Sequence, residues 1–293
     1  TNDPNFINEF SLSIPYDISS LAYTGDSERC DMGGRMEATP YDLEFSSDGM
    51  RFFIVTRNAG KNTADHDKAY GFNLTSPYDV STCTFASQTT DLDSPTFTSG
   101  SLAGDFDHAG KANSKHRLQG IEINNDGTKL FLIWFDHGNA DIGARLLEYT
   151  LSTPYDLTTL SLVTTAGISF ASPDVSSIYV RNPASMRFSP NGKRIFITSH
   201  ENANAAVTQV SFTNSFDSSS FVIDGTVNIN NISTPSNDEP RGLAFGANGI
   251  KLIIANDFGD GDGDELMEYD LVCPFNLFEG KCDAITEGDR TGM

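Results

Sequence analysis

The sequence predicts an all-β chain: a β-propeller of four-stranded antiparallel blades, about five in number, with four and six as alternatives. Three observations predict it. One hairpin motif is written four times and echoed a fifth, a second hairpin motif is written four times, and the two alternate along the 293 residues. Self-similarity at a period above about 40 residues marks units that cannot bury their apolar faces alone, so they must stack on one another.

The first motif reads Phe10-Ser-Leu-Ser-Ile-Pro15-Tyr16-Asp17, then Phe72-Asn-Leu-Thr-Ser-Pro77-Tyr78-Asp79, Tyr149-Thr-Leu-Ser-Thr-Pro154-Tyr155-Asp156 and Tyr269-Asp-Leu-Val-Cys-Pro274-Phe275-Asn276. The echo, Phe212-Thr-Asn-Ser215-Phe216-Asp217, keeps the turn without the proline. Asp17, Asp79 and Asp156 are expected to cap these turns by accepting backbone hydrogen bonds, as Asp does in tight turns. Recurrence of the tyrosine at one structural position argues for packing rather than sugar stacking.

The second motif is Leu43-Glu-Phe-Ser-Ser-Asp48-Gly49 before an apolar run. It recurs as Ile121-Glu-Ile-Asn-Asn-Asp126-Gly127, Met186-Arg-Phe-Ser-Pro-Asn191-Gly192 and Leu243-Ala-Phe-Gly-Ala-Asn248-Gly249. Asp-Gly and Asn-Gly between apolar runs form the strongest short hairpin signal, because those residues tolerate the positive φ of a tight turn. The near-continuous apolar run after each turn fits a strand covered on both faces. An inner Asp/Asn-Gly hairpin followed by an outer Pro-Tyr-Asp hairpin makes one four-stranded blade.

The predicted organisation is a single domain over residues 1–283, with a half-blade at 6–23, blades at about 40–88, 118–165, 183–224 and 240–283, and a polar tail at 284–293. The turn glycines recur at roughly 57 to 78 residues, longer than the about 40 to 50 of compact repeats, so about 10 to 30 residues per repeat are loop. Loops of that length are usually functional. Five outer hairpins face only four inner ones, so one half-blade awaits completion by another chain, by a missing segment, or by packing as an extra strand pair. Ile168-Ser-Phe-Ala-Ser and Ser177-Ile-Tyr-Val-Arg181 are further candidate strands without an assigned blade.

These residues resemble bacterial β-propellers with Ser-Pro-Asp-Gly-type repeats, over about residues 6–283, and look most similar to secreted or surface proteins of marine bacteria. The resemblance implies fold and compartment, with no catalytic residues to carry over. Cys273-Pro-Phe-Asn-Leu-Phe-Glu-Gly-Lys-Cys282 followed by Asp289-Arg-Thr-Gly-Met293 is similar to the junction where such proteins continue toward an outer-membrane anchor.

Charge narrows the partners. A formal net charge of −21, from 19 basic and 40 acidic residues, offers no basic stripe for nucleic acid and disfavours an anionic membrane surface. No stretch approaches the about 18 apolar residues of a membrane span, and no charged-then-apolar leader precedes Thr1, so any signal sequence is expected to have been removed. Cys273 and Cys282 flank the last outer turn and are expected to cross-link, leaving Cys30 and Cys83, which follow successive outer hairpins, to pair. The alternative is four free thiols in a cytosolic protein. Exported and extracellular, or on the cell surface, is therefore the expected location.

Asn256-Asp257-Phe-Gly-Asp260-Gly-Asp262-Gly-Asp264-Glu265 is the sharpest chemical cluster. Alternating Asp-Gly lets carboxylates turn toward one point, and hard oxygen ligands suit calcium. Asp260, Asp262 and Asp264 match the first three ligand positions of a calcium loop, with Asp257 or Glu265 completing the shell, but the twelfth position is Leu271, so this is not an EF-hand. An acidic solvated turn is the competing reading.

Other polar loops carry Asp65, His66 and Asp67; Asp105, Asp107, His108 and His116; His137, Asn139 and Asp141; and His200 and Glu201. In a propeller such loops gather near the channel mouth, where His and Asp can hold a metal that activates water. No His-Glu-x-x-His or Gly-x-Ser-x-Gly motif is present, and scattered loop histidines are usually plain surface. Tyr41, Asp42, Gln119, Gly120, Ala184, Ser185, Arg241 and Gly242 open the innermost strands and are expected to point into the channel. The weak ligand-binding candidates are His137, His200, Arg241 and His108. Two functions are expected: a non-enzymatic extracellular binding or adhesion module for a glycan or protein on a cell surface, with calcium as its candidate stabilising ion, or a metal-dependent propeller hydrolase of lactonase or phosphatase type. Fold alone does not choose between them.

Overall fold

The paired strands are all antiparallel, as the two hairpin motifs require. The computed structural model describes residues 6–32, 39–57, 68–89, 92, 116–136, 144–170, 180, 182–201, 204–229, 238–258 and 265–278. The N-terminal segment forms two strand pairs: β1 (Phe6–Asn8) with β4 (Arg29–Asp31), and β2 (Phe10–Leu12) with β3 (Leu21–Tyr23). The first blade runs in order from β5 (Thr39–Phe45) through β6 (Arg51–Arg57) and β7 (Ala69–Asn73) to β8 (Thr84–Gln88). The second holds β9 (His116–Ile123), β10 (Lys129–Asp136), β11 (Ala144–Leu151) and β12 (Leu160–Leu162), with β13 (Ile168–Ser169) added on β11. The third holds β14 (Pro183–Phe188), β15 (Arg194–Glu201), β16 (Asn204–Phe212) and β17 (Phe221–Asn228). The fourth, among the described residues, holds three strands: β18 (Asp238–Gly246), β19 (Lys251–Phe258) and β20 (Glu265–Asp270).

The protein is thus a propeller of four blades, one of the counts the sequence allows, with the N-terminal strand pairs beside them. Of the two unassigned segments, Ile168–Ser169 joins the second blade as β13, and the carbonyl of Val180 accepts the amide of Ala144 on the same strand.

One contact repeats in every blade and explains the outer motif. The turn aromatic sits at positive φ: 62° at Tyr16, 60° at Tyr78, 63° at Tyr155, 52° at Phe216 and 50° at Phe275. In the four blades its amide donates to the carbonyl of the inner-turn glycine: Tyr78 to Gly49 at 2.8 Å, Tyr155 to Gly127 at 2.9 Å, Phe216 to Gly192 at 2.8 Å and Phe275 to Gly249 at 2.8 Å. Its ring then lies flat against that glycine, so closely that a methyl group at position 127 would stand 2.6 Å from the Tyr155 ring. The next residue caps the turn, as expected: Asp17 accepts the Ser19 amide at 2.9 Å, Asp79 that of Ser81 at 3.1 Å and Asp156 that of Thr158 at 3.0 Å.

The core lies between blades. Phe53, Val55, Leu118, Ile121, Leu132 and Trp134 fill the first-to-second interface; Phe131, Ile133, Met186, Ile195 and Ile197 the second-to-third; Phe196, Val207, Leu243, Leu252 and Ile254 the third-to-fourth. A further cluster of Cys30, Met32, Phe52, Ile54 and Phe72 joins the N-terminal strands to the first blade. The Cys30–Cys83 disulfide crosses that junction. On its other flank the half-blade touches the fourth blade: Glu268 accepts the Ile18 amide at 3.4 Å, and Tyr16, which has no inner turn of its own, rests its ring on Gly246. Cys273 is disulfide-bonded too; its expected partner Cys282 lies outside the described residues.

Two variants check this account by urea unfolding. Gly127→Ala forces a side chain into positive φ against a ring and is expected to cost about 1–3 kcal/mol. Replacing Cys30 and Cys83 together by Ser frees a 53-residue separation and is expected to cost roughly 4 kcal/mol by loop entropy.

Candidate functional site

Each innermost strand breaks its register at the same level. The shift falls between Pro40 and Asp42, opposite Gln119, between Pro183 and Ser185, and between Pro240 and Gly242, leaving Tyr41, Gln119, Ala184 and Arg241 as the bulged residues. Bulges re-aim side chains, and they concentrate beside functional sites. The residues expected to open the channel are therefore set apart from the ladder by backbone geometry as well as by position.

One and three residues beyond each bulged residue, side chains of equivalent register meet on the axis. The first strand contributes Asp42 and Glu44, the second Glu122, the third Ser185 and Arg187, and the fourth only Gly242 and Ala244. Arg187 carries the cluster. Its two terminal nitrogens donate to the two oxygens of Asp42, both at 3.2 Å, in a forked pair, and one also reaches the Leu43 carbonyl at 2.6 Å. Its Nε lies 3.3 Å from Glu44 and its Nη1 3.4 Å from Glu122. Asp42 further accepts the Ile121 amide at 3.2 Å and the Ser185 hydroxyl at 3.0 Å, while Glu122 accepts the Phe188 amide at 3.1 Å. One guanidinium from the third blade thereby ties the first two blades to its own.

Three carboxyls around one cation leave negative charge in a buried place. Burial raises Asp42 above the usual carboxylate range although Arg187 pulls it back down, pushes Glu44 up to about 7, and lifts Glu122 well up with the Glu44 charge adding to it. Arg187, the partner, is held still more firmly in its charged form.

Because the fourth blade offers only glycine and alanine here, the axis opens toward it. A cavity of 440 Å³ is bounded by Tyr41, Asp42, Arg187, Arg241, Ile253 and Ala255, among others. Arg241 stands at its rim: it donates to Tyr41 Oη at 3.4 Å across the gap between fourth and first blades, to Asp257 at 3.3 Å, and to Glu239 at short range. A second cavity of 290 Å³ adjoins on its far side, lined by Asn256, Asp257, Glu265 and Leu266.

The expected site residues divide accordingly. Arg241 and Asp257 come together, and Glu265 begins β20 opposite Asn256, so Asp257 and Glu265 stand on paired strands at the base of the acidic loop. Asp260, Asp262 and Asp264 lie outside the described residues, as do His137 and His108. His200 lies on β15 opposite Ala205, with its side chain outside what is described. Glu44, Glu122 and Arg187 escaped the sequence reading. Aligning the inner motifs reveals them, since Leu-Glu-Phe, Ile-Glu-Ile, Met-Arg-Phe and Leu-Ala-Phe place Glu, Glu, Arg and Ala in one column.

The cluster makes stability depend on pH. Glu44 titrates near 7 when folded and near its ordinary 4.5 when unfolded, so folding takes up a proton in between. Stability is then full below about pH 4.5 and falls as pH rises through about 7, with Glu122 extending the loss upward. Urea midpoints measured between about pH 5 and 8 are expected to decline, and Glu44→Gln to flatten the decline. Arg187→Met, which strands the buried carboxyls of Asp42 and Glu122 and the half-buried one of Glu44, is expected to cost about 3–5 kcal/mol.

No protein-family model and no curated protein sequence matches the chain. Solved structures do. The chain is similar to a protein from Lactobacillus plantarum (12% identity, 75% of this chain and 48% of that one, TM-score 0.41) and to the major allergen Mala s 1 of Malassezia sympodialis (11%, 81% and 61%, TM-score 0.46). It is similar also to the periplasmic gluconolactonase of Pseudomonas aeruginosa (11%, 90% and 74%, TM-score 0.45). It spans only about half to three-fifths of the first two, and at these identities the likeness is one of fold.

Proposed function

We propose that this chain is a non-enzymatic binding or adhesion module, exported to an oxidising compartment, that holds a glycan or protein of a cell surface at the rim formed by Arg241 and Tyr41. One observation carries the reading: the charged side chains on the axis are committed to one another, whereas the cavity beside them is largely apolar, and the partly exposed Arg241 marks its edge. A mostly apolar concavity with a few convergent polar groups is how small-ligand and side-chain pockets are built. The Cys30–Cys83 disulfide supports export.

Calcium belongs to the same reading. Asp257 and Glu265 bracket the Asp-Gly segment from two paired strands, and oxygen donors on a glycine-rich loop suit a hard cation. A cation there competes with Arg241 for the Asp257 carboxylate, which couples the acidic loop to the rim.

Glycan and cell-surface protein arrays, run beside a panel of lactone and phosphate-ester substrates with and without a chelator, test the proposal. A bound ligand lost at least about tenfold in Arg241→Ala, equivalent to about 1.4 kcal/mol, with no turnover, is the expected result. Chelator-sensitive turnover would establish the hydrolase instead. Calcium is expected to raise the melting temperature of the parent chain and to do so less in Asp257→Asn; absence of heat and of any thermal shift removes the cation.

A further inference from the structure

The half-blade leaves a gap with a definite shape. In the first three blades, the third strand is covered by the second strand of its own inner hairpin: Phe52 pairs with Phe72 and stacks on it at 4.8 Å, Leu130 pairs with Tyr149, and Ile195 with Val210; in the fourth, Leu252 pairs with a half-buried Tyr269. Phe10 occupies the same register as Phe72, Tyr149 and Val210, yet it is 49% exposed where those are 2%, 5% and 0%. The strand that would cover it is absent among the described residues. The amide bonds that an inner turn accepts are missing with it: Leu74, Leu151, Phe212 and Leu271 each donate to the residue after a turn glycine, and among the described residues Leu12 and Tyr16 make no bond of this kind.

The facing walls tell the same story. Phe53, Phe131 and Phe196 on the second strands of the first three blades are buried against the next blade, whereas Ile253, their equivalent on β19, is only half-buried. Ile253, Ala255 and Leu243 of the fourth blade, with Pro40, Leu43 and Ile54 of the first, bound the 440 Å³ cavity. Ile7 of the half-blade closes its outer side. Most of the exposed large apolar side chains belong to the two elements that flank this gap: Phe10, Ile14, Tyr16, Leu21 and Tyr23 on the N-terminal strand pairs, and Ile250, Leu266 and Val272 on the fourth blade, against Tyr78, Phe85 and Val222 elsewhere. Exposed apolar surface concentrated in this way marks an interaction site.

We infer that this slot seats a fifth inner β-hairpin, with an Asp-Gly or Asn-Gly turn and apolar strands, supplied by polypeptide other than residues 1–293. The hairpin would add its second strand to the free edge of β2, in the manner of strand addition to an open sheet edge. Its turn glycine would take the place against the Tyr16 ring that Gly246 of the fourth blade now holds, and Tyr16 already has the φ of 62° found where such a turn is present. A second copy of this chain is a poor donor, because each of its four inner hairpins is already paired with its own outer hairpin. Nor is the pattern found elsewhere in the sequence: outside the described residues the only Asp-Gly steps are Asp260-Gly261 and Asp262-Gly263, which lack apolar flanks. Continuity with the three blade interfaces already formed by this repeat is what commits the slot to that occupant.

The test appends the hairpin 116–136 of this chain ahead of Thr1 through a flexible Gly-Ser linker, so that weak affinity does not hide binding. The expected result is a monomer with a higher melting temperature and a roughly tenfold slowing of amide exchange at Leu12 and Tyr16, both absent when the appended segment is scrambled. Ile253→Glu, at a half-buried position in the parent, is expected to leave the parent fold intact by circular dichroism while abolishing both gains. Failure of the tethered native hairpin to protect those amides, or protection indifferent to Ile253→Glu, overturns the proposal. So does a parent chain that forms a dimer with those amides already protected.

Discussion

Everything in this ring hangs on the closure of an aromatic ring over a turn glycine. The glycine is needed twice, once for its own positive φ, 67° at Gly49 and 72° at Gly127, and once because no side chain fits beneath the tyrosine. The aromatic residue in turn adopts a left-handed conformation unfavourable to it, which persists because its amide, its ring and the following Asp all fix it there. Inner and outer hairpins thereby become one blade. Only then do Phe53, Phe131 and Phe196 come to lie where the next blade can cover them.

On the axis a different logic holds. Small rings of blades bring their innermost strands close, and here the residues that meet are ionisable rather than apolar. Arg187 offsets this by donating to the first blade, the second and its own backbone neighbourhood at once, so the charge cluster specifies which blades stand opposite which. The fourth blade stands outside that network, because Gly242 and Ala244 have nothing to contribute. The cavity beside Arg241 is the direct result.

The hairpins were legible in the sequence because turn chemistry is local: Asp-Gly, Asn-Gly and Pro-Tyr-Asp state their backbone conformation within four residues. The unmatched outer hairpin of β2 and β3 was legible too, as an excess of one outer motif over the inner ones. The blade count was less so, since an unmatched hairpin reads as a blade until its neighbours are seen. The axial cluster was not recognised, because Glu44, Glu122 and Arg187 each look like the polar residue of an alternating strand; their meeting depends on three strands more than 60 residues apart in sequence order. Arg241 was singled out from its place before an inner strand, but its bonds to Asp257 and Tyr41 span blades and follow from closure of the ring.

The disulfide gives the seam a mechanical direction. Cys30 and Cys83 weld the N-terminal strands covalently to the first blade, while their other flank meets the fourth blade through noncovalent contacts, among them Tyr16 against Gly246 and the Ile18 amide on Glu268. The two flanks of the N-terminal strands thus differ in kind: one is riveted covalently to the first blade, whereas the other is merely latched to the fourth by noncovalent contacts.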